Sequence, residues 1–119
     1  MAAERRIIKR RKFGYYMRVV DTKTQDVIGY LSDISPQGFK LDTQKALTSN
    51  QDYSLRLDLT PEVSNKAYIT FVARRKWAQP DSIDPNEYNE GFQIVDISPN
   101  DKEIYQRIVE KYGAAESNW

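Results

Sequence analysis

From Tyr53 to Leu59 the chain alternates without a break. Tyr53, Leu55, Leu57 and Leu59 fall on one face, and Ser54, Arg56 and Asp58 fall on the other. Period-two alternation is the pattern of a half-buried antiparallel strand, and such a strand needs partners to cover its apolar face. The remaining chain supplies them. Phe13–Val20, Val27–Ile34, Phe39–Leu41, Ala67–Trp77 and Tyr88–Asp96 are all rich in β-branched and aromatic residues. In the longest, Ile69, Phe71 and Ala73 share the inward parity. Polar segments separate the strands: Asp21–Asp26, Ser35-Pro36-Gln37-Gly38, residues 42–51 with Ala46 and Leu47 as possible anchors, Thr60–Lys66, and Gln79–Asn86 with its two prolines.

The pattern changes once, near the end. Ser98 is a natural N-cap, Pro99 fits the first helical position, and Asp101 and Glu103 suit the positive end of a helix dipole. Ile104, Tyr105, Ile108, Val109 and Tyr112 then form one apolar stripe, and Gly113 is the expected stop. About six short strands with short connections predict antiparallel neighbours. The expected fold is therefore mainly β: a six-stranded antiparallel barrel, which leaves no open sheet edge, with one C-terminal amphipathic helix packed on an opening. Residues 1–12 are read as an exposed basic arm, 13–113 as the barrel with its helix, and 114–119 as a frayed tail.

Composition removes several classes of function. The 119 residues hold no cysteine and no histidine, so thiol nucleophiles, thiolate metal sites and the commonest general base are missing. An enzyme would have to work with carboxylates or lysine. Asp81, Asp84 and Glu87 crowd one loop, but their proline and asparagine neighbours make that loop a turn first. The expectation is no catalysis and no metal. No apolar run is long enough to span a bilayer, and the first residues lack the apolar centre of a secretory signal, so a cytoplasmic location and no membrane insertion are expected. The net charge of +1 counts against nucleic acid as the main partner.

That near-neutral total hides a local excess. Arg5, Arg6, Lys9, Arg10, Arg11 and Lys12 crowd the arm against the single acid Glu4. Guanidinium is planar and forked, and it matches both phosphate oxygens and the O6/N7 edge of guanine. Asp33-Ile34-Ser35-Pro36-Gln37-Gly38 has the complementary chemistry. Asp33 can accept from the N1 and N2 donors of guanine, Ser35 offers a rotatable hydroxyl, and Gly38 permits positive φ and close backbone approach to a ligand. Asp96-Ile97-Ser98-Pro99 repeats the first four letters at the start of the helix, with Asp101 in place of the glycine. Asp-x-Ser-Pro is thus also an ordinary turn and cap, and Gly38 with the upstream arginines distinguishes the first copy. Arg74 and Arg75 read as solvent-facing strand residues rather than ligands, with a phosphate contact by one of them as the alternative.

Arg6-Ile7-Ile8-Lys9-Arg10, a hairpin, and then the DxSxxG turn resemble the PilZ domain, the bacterial receptor for cyclic di-GMP. The resemblance covers nearly the whole chain, including the strand ending Ala73-Arg74-Arg75-Lys76-Trp77, Glu90-Gly91-Phe92 and the terminal helix. It implies a split barrel of PilZ type and a cyclic di-GMP site. Arg6 and Arg10 would bind guanine edges and phosphates, and Asp33, Ser35 and Gly38 would bind the purine. Arg5 stands where some members carry an extra arginine, which favours two stacked ligand molecules. Trp77 is either core filler or a stacking platform for a base. The implied protein is a cytoplasmic bacterial adaptor whose arm orders on the ligand and which signals to a separate downstream protein. The competing readings are a small-barrel nucleic-acid binder using the same arm, and a PilZ-like interaction protein that binds no ligand.

Overall fold

The computed structural model describes residues 17–47 and 51–112. Strands β1 (Arg18–Asp21), β2 (Val27–Ser35), β3 (Gly38–Thr43), β4 (Asp52–Asp58), β5 (Tyr68–Pro80) and β6 (Tyr88–Ile97) precede one helix, α1 (Pro99–Tyr112). The strands close into a barrel in the order β1-β2-β3-β6-β5-β4, with every neighbouring pair antiparallel. The expected barrel and terminal helix are therefore both present. The basic arm, Phe13–Tyr16, Gly113 and the tail after it lie outside the described residues.

Closure is made by the shortest strand. β1 pairs with β2 on one side and with β4 on the other, where Val19 faces Leu57 and Asp21 faces Leu55. The third strand runs on to Thr43, beyond the expected Leu41, because it is paired with β2 and β6 at once. The fifth runs on to Pro80, which stands opposite Tyr88. Proline is tolerated at such a strand end, where its missing N–H breaks no central ladder.

Alternation fills the barrel as the pattern requires. Leu55, Leu57, Ile69 and Ala73 are completely or almost completely buried. Phe39 and Phe92 stack with ring centroids 5.2 Å apart, and Phe71 meets Phe39 edge-on at 5.4 Å. Each such side chain removed from water contributes about 1.5–3 kcal/mol. From α1, Ile104, Tyr105 and Ile108 join this core and cover the end of the barrel where β2 turns into β3. Leu47 also packs on the core, as its apolar character suggested.

The helix begins where its cap is. The Ser98 carbonyl accepts the Lys102 N–H at 2.8 Å, and the Ser98 Oγ accepts the Asp101 N–H at 3.4 Å. Asp101 does more than suit the dipole. Its carboxylate accepts the Thr70 N–H at 3.1 Å and the Lys66 ammonium, and so ties α1 to β5 and to the loop before it. Burial alone would raise the Asp101 pKa, but the hydrogen bonds from Lys66 and Thr70 and the Lys66 charge outweigh it. The carboxyl is held below its ordinary value.

The far end of the barrel interior is polar. Glu90 is fully buried, and its carboxylate accepts the Thr43 hydroxyl and the Leu47 N–H. The Arg75 guanidinium stands 3.8 Å away. Arg75 is 9% exposed, so it points inward and not to solvent as its neighbourhood suggested. It shares the parity of Ile69, Phe71 and Ala73, and Glu90 supplies the countercharge that lets it stay there. Arg74 does face outward, where it pairs with Asp52 at 2.7 Å.

Candidate ligand site around the β2–β3 turn

Two bulges decide which side chains reach the outer surface here. In β2, Leu31 faces Leu41 and Asp33 faces Lys40, so Ser32 is an extra residue. Without it Asp33 would share the inward parity of Leu31. With it, Leu31 and Ile34 point into the core and Asp33 turns outward. In β5, Arg75 faces Phe92 and Trp77 faces Gly91, so Lys76 is the extra residue. Trp77 thus leaves the inward row that ends at Arg75.

The registers place these residues in one lateral row. Asp33 faces Lys40, Lys40 faces Gly91, and Gly91 faces Trp77. Strands lie about 4.8 Å apart, so the row spans roughly 14 Å across β2, β3, β6 and β5. The neighbouring row holds Ser35, Gly38 and Gln93. A hollow of about 360 Å³ opens between Trp77, Gly38, Gln37, Gln93 and Lys76, floored by Gly91 and Phe92. Trp77 is half-buried at its wall, which resolves the choice between core filler and outward-facing ring: the ring lies on the outer face.

The turn is built tightly. Pro36 and Gln37 are exposed, and Ser35 and Gly38 are buried and paired with each other. The Ser35 hydroxyl donates to the Gly38 carbonyl at 3.3 Å. Asp33 Oδ1 accepts the Ile34 N–H at 2.9 Å. Gly38 serves differently from the sequence reading. Its φ is not left-handed; a Cβ there would collide with the Phe92 carbonyl. Glycine is required by the close approach of β6. Among the described non-glycine residues only Gln25, in the β1–β2 turn, has positive φ, at 67°.

Tyr105 locks the corner from behind. Its hydroxyl lies 2.7 Å from the Ser35 carbonyl and 2.7 Å from the Gly38 carbonyl and donates to them. Burial pushes the phenol pKa far above its ordinary value, so it stays a proton donor at every physiological pH. Sequence reasoning assigned Tyr105 to packing alone, and nothing local marks it as the holder of a turn 67 positions away. Gly91 did carry a signal, since a glycine inside a strand pattern marks a bulge or a close approach. Lys40, Lys76, Gln37 and Gln93 gave none.

Of the sequence-predicted site residues, Asp33, Ser35, Gly38 and Trp77 are thus assembled around two adjacent outer rows. Arg5, Arg6 and Arg10 lie outside the described residues. The chain enters the barrel close by: the Met17 carbonyl accepts the Leu31 N–H at 2.8 Å, two positions before Asp33. Among the described residues no cluster of three or more His, Cys, Asp or Glu could hold a metal, and no helix is long and apolar enough to cross a membrane.

A closed six-stranded barrel, a helix on one end and an outward acid-and-aromatic row beside a pinned turn define a small β-barrel domain with a hollow on its outer surface. The chain belongs to the PilZ domain family, whose family model matches residues 4–111. Solved structures of similar fold include the Bacillus subtilis inhibitor of motility MotI/DgrA, at 15% identity and TM-score 0.65 over 82% of this chain and 46% of that one. The PilZ domain of YcgR from Escherichia coli with c-di-GMP gives 16% identity and TM-score 0.62 over 82% of this chain and 80% of that one. The PlzA protein of Borreliella burgdorferi in complex with c-di-GMP gives 16% and 0.53, over 87% of this chain and 47% of that one. The chain thus spans about half the length of the Bacillus and Borreliella proteins. Comparison with curated protein sequences returned no significant match.

Proposed function

We propose that this chain is a receptor for cyclic di-GMP, with Arg5, Arg6, Arg10, Asp33, Ser35, Gly38 and Trp77 as its ligand residues. The observation that carries the reading is the outer row. Two separate bulges bring an acid, Asp33, and an indole, Trp77, to the same face of a PilZ barrel, beside a hollow that includes Gly38. The acid suits the N1 and N2 donors of guanine, and the indole suits its π-face. The family relatives from Escherichia and Borreliella carry c-di-GMP in their solved structures, which supports the same ligand here.

The arginines supply what the lining of the hollow lacks, a forked donor for phosphate and for the guanine O6/N7 edge. Arg10 is joined to Met17 by a segment that reaches at most about 25 Å when fully extended. Met17 itself is hydrogen-bonded to β2 beside the row, so the hollow is within that reach. On binding, the arm exchanges water for ligand contacts and becomes ordered, which presents a new surface to a downstream protein. The protein is then a cytoplasmic bacterial adaptor and not a catalyst.

Calorimetric titration tests this directly. Wild type is expected to bind cyclic di-GMP and to ignore GTP and cyclic di-AMP at equal concentration. Arg10→Ala is expected to lose a charge-assisted contact, about tenfold or more in affinity. A stoichiometry of two ligands per chain is expected from the extra arginine at position 5. Absence of heat with wild type at millimolar cyclic di-GMP ends the proposal.

A further inference from the structure

Trp77 stands on the opposite face from the one its parity dictates. Ile69, Phe71, Ala73 and Arg75 point into the barrel, and an unbroken strand would send Trp77 in after them. The Lys76 bulge turns it out. A bulge sets only the side on which a ring emerges. Where the ring then rests is set by the strand beside it.

It rests on Gly91. A Cβ at position 91 would overlap Nε1, Cε2 and Cζ2 of the Trp77 indole. All three obstacles belong to that one ring. At Gly38, by contrast, the nearest obstacle is the Phe92 backbone carbonyl. The empty space at Gly91 is therefore kept for the indole and not for strand pairing. Its flanking residues Glu90 and Phe92 point inward and fix the height of the strand beneath the ring, Glu90 through Thr43 and the Leu47 N–H, Phe92 through its stack on Phe39.

From this we infer that Gly91 is a positioning residue, whose missing side chain seats the Trp77 indole over β6 as the wall of the cyclic di-GMP hollow. The inference builds on the receptor reading above and adds the element that holds its stacking platform. A methyl group at 91 has two ways to be accommodated. Moving the ring costs only a side-chain rotation, and moving the strand breaks the Glu90 and Phe92 contacts below. The ring moves, the barrel stays, and the hollow loses its wall.

Three variants test it in the full chain: Gly91→Ala, Trp77→Ala and the double variant. The chain has two tryptophans, Trp77 and Trp119, and Trp77→Ala assigns their indole N–H resonances. In Gly91→Ala without ligand, the Trp77 indole resonance is expected to shift while the amide spectrum of the barrel strands and cooperative melting are retained. Affinity for cyclic di-GMP is expected to fall to that of Trp77→Ala, about tenfold or more below wild type. In the double variant the methyl group meets no ring, so its affinity is expected to equal that of Trp77→Ala alone. An unmoved indole resonance with unchanged affinity overturns the inference, and so does a further loss from Gly91→Ala in the Trp77→Ala background. Should wild type fail to bind cyclic di-GMP, the receptor reading falls, and the indole resonance of Gly91→Ala still decides whether Gly91 seats the ring.

Discussion

Asp33-Ile34-Ser35-Pro36 and Asp96-Ile97-Ser98-Pro99 are the same four letters, and the protein uses them for opposite purposes. The first copy ends a strand and turns straight into the next one. The second ends a strand and starts a helix. In both, proline follows the serine and fixes one dihedral, which a turn and a first helical residue accept equally. The serine hydroxyls differ in role, since that of Ser35 donates to a carbonyl and that of Ser98 accepts an N–H. The sixth residue separates the two outcomes. Gly38 must pass within touching distance of the Phe92 carbonyl, and Asp101 must reach Lys66 and the Thr70 N–H. A local phrase is neutral until a distant strand demands something of it. Tyr105 then joins the two copies, since the helix begun by the second holds the turn made by the first.

The strongest way to break the comparison is Gly38→Ala. Its methyl group meets backbone, which cannot rotate away, so β3 must separate from β6. A loss of about 3 kcal/mol is expected from urea unfolding. The same substitution at Gly91 meets only a side chain and is expected to leave the unfolding midpoint far less changed.

Asp101→Asn strikes the second copy. It removes the charge that holds Lys66 and weakens the bond from the Thr70 N–H, with an expected cost of about 2 kcal/mol at neutral pH. The sign of the pH dependence follows from the depressed folded pKa. The contribution is complete above the ordinary carboxylate value and is lost as pH falls through the lower folded value. The difference between wild type and Asp101→Asn in urea midpoint should therefore stay constant above about pH 5 and shrink as the solution is acidified below it.

Tyr105→Phe cuts the link between the copies and is the mildest of the three. It leaves the ring packed and takes one donor from two buried carbonyls, with an expected loss of about 1–2 kcal/mol. If the turn is the ligand corner, affinity for cyclic di-GMP falls as well, and Ser98→Ala, which weakens the cap without touching the turn, leaves it unchanged. Equal affinity in both variants would show that the corner keeps its shape without the helix.

What could be read in advance follows the range of each interaction. Alternation marks strands because burial on one face is repeated every second residue, so Leu55, Leu57, Ile69 and Phe71 announced themselves. The Ser98 cap and the α1 stripe are equally local. The bulges at Ser32 and Lys76 are not, since an extra residue is extra only against a partner strand. Parity alone would turn Asp33 and Trp77 inward; the turn motif marked Asp33 as a ligand residue without it, and Trp77 stayed open between core filler and stacking platform. The burial of Arg75 depended on Glu90, and the reason for Gly38 depended on Phe92, each on a paired strand whose register no local pattern shows. The arginine arm was conspicuous by charge alone, and its role rests on chemistry and on the titration described above.

The ring is fastened by four residues. Among the described residues Arg18–Asp21 is the one strand that joins β2 to β4. The latch of the drum is thus its first described strand: whatever loosens these four residues opens the clasp.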